Sequence, residues 1–262
     1  MLSALKGAWQ AGSRDNIGLI AAGVAYYALL ALIPALGAIV LAYGVFAAPQ
    51  TVGSHIELLT NRLPASAADL IAGQLKAVSD GSSGAQGVGL FVSLAIALFG
   101  ARSGARSLMT GFNVVFHADE ERGFVRGNLV AVAITAASLA SMIAAGIASA
   151  ALANLGGVVG GSASMVLAGI AATLAAGMLY RFAPNAPAPA WSAIWPAAAL
   201  FAASWLVATA GFAFYAANFG NYNATYGTLG AVLALITWFW ATGFLLLLGA
   251  EYAALRSTWN TA

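Results

Sequence analysis

The chain has 262 residues, 61% of them hydrophobic and 7% charged, with a net charge of +2. Soluble domains carry about 25% charged residues, so at a mean hydropathy of +0.88 this composition excludes a water-soluble globule. The absence of cysteine rules out disulfides, thiolate metal sites and cysteine nucleophiles, and so small a net charge gives no reason to expect nucleic-acid binding.

What remains is an all-α, polytopic membrane protein. Residues 1–16 form a short, mildly amphipathic, basic segment that ends in Asp15-Asn16, a helix cap ahead of the first span. Lys6 and Arg14 before an apolar run imitate a signal peptide. That run extends from Ile17 to about Ala48, well beyond a signal's apolar core. It is expected as a retained first span (about 17–47), longer than a bilayer is thick and kinked at Pro34.

Between 49 and 86 charge returns with His55, Glu57, Arg62, Asp69, Lys76 and Asp80. Apolar positions there recur at helical spacing (Ile56, Leu59, Leu63, then Leu70, Ile71, Leu75, Val78), and Pro64 divides them. Two short amphipathic external helices are expected, followed by a flexible connector from Gly81 to Gly87.

Span 2 (about 88–116) is apolar only as far as Gly100, so its continuation brings Arg102 into or to the edge of the hydrocarbon layer. The run Asp119-Glu120-Glu121 with Arg122 and Arg126 reads as a solvated turn, since no histidine accompanies it to make a metal site. Spans 3 (about 128–153) and 4 (about 158–180) are rich in Ala, Gly and Ser. Ala136, Ala140, Ala144 and Ala148 fall on one face, which favours close helix packing. Prolines 184, 187 and 189 close span 4. Spans 5 (about 191–217) and 6 (about 228–250) complete a bundle of six transmembrane helices in one integral membrane domain, 1–262. The external loop before span 6, with Asn221, Tyr222, Asn223 and Tyr226, is polar, uncharged and turn-forming: a connection or a recognition loop. Trp191, Trp195, Trp238 and Trp240 read in part as interface anchors.

Basic residues fix the orientation. Lys6, Arg14, Arg102, Arg106, Arg122, Arg126, Arg181 and Arg256 fall on one side and only Arg62 and Lys76 on the other. The positive-inside bias therefore places both termini in the cytoplasm.

The candidate chemistry is sparse. Arg102 and Arg106 share a helix face, and Glu251 ends span 6 on the same side. Glu251 is expected to pair with one of these arginines and fasten span 6 to span 2, with the cluster available to an anionic headgroup. The alternative is that all three reach the headgroups independently. Tyr26, Tyr27 and Pro34 in span 1, and Asn113 in span 2, are candidates for lining a cavity, although an ordinary kinked helix gives the same span 1 pattern. No nucleotide loop, nucleophile elbow or pair of intramembrane carboxylates is visible in the sequence, so no enzyme activity, cofactor or metal is expected.

Laid out in this way, the chain resembles the YihY/BrkB family of bacterial inner-membrane proteins. The likeness rests on Gly23-Val24-Ala25-Tyr26-Tyr27 leading to Pro34, on Arg102 and Arg106 followed by Asn113, on Tyr226-Gly227-Thr228-Leu229-Gly230-Ala231, and on Leu248-Gly249-Ala250-Glu251. The Arg/Ser stretch departs from the family pattern by lacking its usual tryptophan.

The resemblance implies six spans, a bacterial inner-membrane location, and a part in envelope integrity and serum resistance, with movement of lipids inferred. An older family label, ribonuclease BN, conflicts with the residues, because a nuclease needs clustered metal ligands or acid–base pairs in water. The expected function is to move, or help move, an envelope lipid or related amphiphile. The alternative is a non-transporting scaffold that docks an envelope protein partner through 49–86 and the Asn/Tyr loop. Membrane lipids are the expected partners and nucleic acid is not; the sequence leaves the oligomeric state open.

Overall fold

Apolar runs in a solvent without hydrogen-bonding capacity must satisfy their backbone internally, and a helix does so within one segment. The computed structural model describes residues 2–46, 83–118, 123, 125–134, 148, 157–187, 189–219 and 228–259. Its helices are α1 (Leu2–Arg14), α2 (Ile17–Phe46), α3 (Ser83–Val115), α4 (Val125–Ile134), α5 (Gly157–Phe182), α6 (Trp191–Phe219) and α7 (Thr228–Trp259). Among the described residues there is no strand.

Three stretches are long and apolar enough to cross a bilayer: Gly160–Phe182, Trp191–Tyr215 and Val232–Ser257. A fourth candidate is the bent pair Ser3–Arg14 and Ile17–Leu32, which turns through 70°. The described residues thus give three crossings, or four, against the six expected. Of span 3, the start, in α4, and residue 148 fall among them. The amphipathic segment 49–82, the acidic turn 119–122 and the loop residues Asn221, Tyr222, Asn223 and Tyr226 lie outside the described residues.

One expectation needs correction. The connector was expected to run to Gly87, yet α3 begins at Ser83 and takes in Gly84 and Gly87. A glycine inside a helix costs up to about 1 kcal/mol, which the apolar turns that follow outweigh once they must be internally bonded in lipid.

The chain divides into two units, Met1–Tyr26 with Arg102–Ala262, and Tyr27–Ala101. In the second unit, α2 and α3 meet at Gly100. A Cβ there would lie 2.9 Å from the Cα and N of Ala31, so only glycine allows that backbone approach. The first unit has a core in which alanines (Ala4 and Ala8 on α1, Ala176 on α5, Ala197 and Ala198 on α6, Ala250 and Ala253 on α7) pack among larger side chains such as Ile17, Phe112, Tyr180, Ile194 and Leu247. Other large aliphatic side chains face outward; Val166, Ile170 and Val207 are all exposed. Lipid allows this, because hydrocarbon outside is as good a neighbour for leucine as hydrocarbon inside.

Candidate functional site

Several buried or half-buried polar groups of the first unit gather where α1 turns into α2 and toward the C-terminal ends of α3, α5 and α7. Tyr180, the largest fully buried side chain among the described residues, sits near the end of α5 and donates its hydroxyl to the Leu246 carbonyl on α7 at 2.9 Å. Its ring meets Phe112 of α3 edge-on, centroids 5.9 Å apart. The close approach depends on Gly249, because a Cβ at that position would run into the Tyr180 hydroxyl. A buried phenol needs such a partner, and a glycine three residues along α7 from the acceptor carbonyl makes room for it.

The α5–α6 loop is held from both sides. Asn113, near the end of α3, accepts the Asn185 backbone N–H on its Oδ1 at 2.8 Å. Arg181 donates to the Pro189 carbonyl at 2.5 Å and lies 5.4 Å from the centre of the Trp191 ring. Trp191 in turn stacks on Trp195, with centroids 5.1 Å apart. The proline-rich segment expected only to stop a helix is therefore a strapped turn.

Arg102 is half-buried on α3 and donates to Asn128 Oδ1 of α4 at 2.6 Å. A guanidinium at an apolar level needs such a partner. Arg106, one turn further along, is exposed. Glu251 is only 2% exposed. The charged groups facing it come from the end of α1: the Asp15 carboxyl within hydrogen-bonding reach, and Arg14 beyond it. Glu251, expected to pair with Arg102 or Arg106, faces Asp15 and Arg14, and Arg102 meets Asn128. The physical reason is α1, which packs along α7 and covers the face that carries the acid. Glu251 and Asp15 also form the carboxyl pair that the sequence alone hides, since the two lie at opposite ends of the chain.

Of the cavity candidates, Tyr26 is 53% exposed. Tyr27 is half-buried, and Pro34 lies inside α2, which continues past it to Phe46. A groove among the described residues lies elsewhere, between α5 and α6. It has a volume of about 560 Å³ and apolar walls that include Ile170, Leu174, Trp195 and Leu206. Trp240, read in part as an interface anchor, donates its indole N–H to the Gly18 carbonyl at 3.0 Å and so ties α7 to the start of α2. Trp205 on α6 donates to Thr242 Oγ1 of α7 at 3.3 Å.

Sequence reasoning missed α1 as a packing element. The signal was present: Ala4, Ala8 and Ala11 recur at helical spacing and are all buried.

Apolar helices with small-residue contacts and lipid-compatible flanks define the class: a helical integral membrane protein. A family model described as virulence factor BrkB matches residues 8–261, and the chain belongs to that family, as its sequence motifs suggested. Among curated proteins it is 26% identical over 247 residues to the putative ribonuclease-like protein YfkH of Bacillus subtilis, covering 89% of this chain and 88% of that one. It is also 26% identical over 270 residues to a UPF0761 membrane protein of Laribacter hongkongensis, covering 96% of this chain and 60% of the relative. A UPF0761 membrane protein of Tolumonas auensis matches at 35% identity over 83 residues, 32% of this chain and 27% of that protein. No solved structure matches.

Proposed function

We propose that this protein is a multi-pass, six-span protein of the bacterial inner membrane, with both termini in the cytoplasm, that moves or helps to move an envelope lipid or related amphiphile. The observation that carries the reading is the arginine pair on α3. Arg102 is fixed by Asn128, and Arg106 is exposed one turn away on the same face. Two guanidiniums just past the apolar run of α3, which ends near Gly100, suit an anionic headgroup whose acyl tails stay in the bilayer. The groove between α5 and α6 supports the same reading, because its walls are apolar and its volume of about 560 Å³ accepts a length of hydrocarbon chain. The ribonuclease-like name belongs to the Bacillus protein, and the reading here is of a protein that acts on lipid by binding rather than by catalysis.

The test is transfer of labelled anionic phospholipid between leaflets of liposomes that contain the purified protein. Arg106→Ala should slow transfer several-fold while the protein stays folded. Arg102→Ala should slow it as well, with some loss of stability because it empties the contact to Asn128. Transfer no faster than in empty vesicles would overturn the proposal.

A further inference from the structure

The elbow between α1 and α2 is built around two residues. Asn16 adopts a left-handed conformation, φ 53°, which asparagine tolerates better than most side chains. Its Nδ2 donates to the Arg14 carbonyl at 3.3 Å, and its own carbonyl accepts from the N–H groups of Leu19 and Ile20. The elbow grips α7 on both arms. Trp9 of α1 meets Phe244 edge-on at 5.7 Å, and the Gly18 carbonyl of α2 receives the Trp240 indole.

Glu251 lies inside this grip. It is 2% exposed, and its Oε1 has no hydrogen-bond partner. Gly12 of α1 packs beside it, with the position of a Cβ there 3.7 Å from Glu251 Cγ. The Asp15 carboxyl is within hydrogen-bonding reach. Two carboxyl oxygens that meet repel each other unless a cation stands between them. The carbonyl end of α1 adds partial negative charge at the same place.

Arg14 is the one cation that faces Glu251 from α1, and its side chain is exposed. The first turns of α2, from Ile17 to Ala25, contribute no charged group. On α7 itself the nearest ionisable neighbours are Tyr252 and Arg256, and the Arg256 guanidinium turns to the Tyr252 hydroxyl at 3.4 Å. From α5 the Tyr180 hydroxyl is committed to Leu246, and on α3 Arg102 is committed to Asn128. The site is short of positive charge, and one buried carboxylate oxygen is left to supply it to.

We propose that Asp15 and Glu251 together bind a small monovalent cation, a proton or Na⁺, that closes the α1–α2 elbow onto α7. The shared chemistry is one positive charge held between two carboxyl oxygens. The site is independent of the lipid reading, and its test does not use lipid transfer.

The experiment follows thermal unfolding of the full-length protein in detergent by tryptophan fluorescence. In one series pH is raised with choline as the only salt cation; in the other Na⁺ replaces choline at constant ionic strength and alkaline pH. If the cation is a proton, the folded chain holds a proton that the unfolded chain releases. The midpoint then falls by several degrees as pH rises and ignores Na⁺. If it is Na⁺, the midpoint rises with Na⁺ by mass action. Either result supports the site, provided that Glu251→Gln and Asp15→Asn abolish the response. A glutamate that titrates through its burial alone would lose the response in Glu251→Gln but keep it in Asp15→Asn. Asp15→Asn carries the comparison if Glu251→Gln does not fold. A wild-type midpoint that follows pH and Na⁺ no differently from both variants would overturn the proposal.

Discussion

Along α5 and α6, side chains such as Val166, Ile170, Leu174, Val207 and Phe214 stand well exposed. At the other extreme, where α1 and α7 meet near Glu251, the α7 residues from Leu246 to Ala253 are buried or half-buried, and alanines and glycines of α1 let the helices come close. In water the large aliphatic residues would sort inward. With lipid outside there is no such gain, so helix association depends on close approach and buried hydrogen bonds. The contrast teaches where the specificity of this fold lies. The flank suits the bilayer, and the small-residue end with its few polar ties sets which helix meets which.

Substitutions can break or sharpen that contrast. The largest effect is expected at Gly249, where even a Cβ meets the Tyr180 hydroxyl. Gly249→Leu should cost at least about 3 kcal/mol, read as a collapse of yield and of the unfolding midpoint in detergent. Gly211→Ala on the outer face of α6, where a Cβ meets nothing, should leave both unchanged or slightly raised.

Next comes Asn128→Ala, which strips Arg102 of its acceptor and should cost about 1.5 kcal/mol. Asn128→Gln should recover part of this if the longer amide can still reach. Tyr180→Phe leaves the ring contacts in place and removes only the hydroxyl from the Leu246 carbonyl, at about 1 kcal/mol in the same assay. The smallest effect is expected on the flank, where Ile170→Ala should stay within about 0.5 kcal/mol. A flank substitution as costly as Gly249→Leu would erase the contrast.

Much of the fold was legible from hydropathy, because a run such as Trp191–Phe219 or Thr228–Trp259 can be little else than a long helix. Helix ends were legible where chemistry marks them, as at Arg181 before the proline-rich turn. Partners were much less so. The sequence shows that Glu251 closes an apolar helix, but each of several charged residues near other span ends could equally have met it. The choice falls to Asp15 and Arg14 because Ala4, Ala8 and Ala11 lay α1 along α7, and that packing depends on close fit, which hydropathy does not register. For the same reason Asn113, a cavity candidate in the sequence, proves to hold a loop through one backbone N–H. Trp240 reads in part as an interface anchor until Gly18, more than two hundred residues away, accepts its hydrogen bond.

The central claim, that the α5–α6 flank faces lipid while the α5–α6 turn faces water, can be tested directly because the natural chain has no cysteine. Single variants Ile170→Cys, Val207→Cys and Pro187→Cys would be exposed to a membrane-impermeant maleimide in everted inner-membrane vesicles. The account predicts rapid labelling at position 187 and none at 170 or 207 until detergent is added. Labelling at 170 and 207 as fast as at 187 would contradict it.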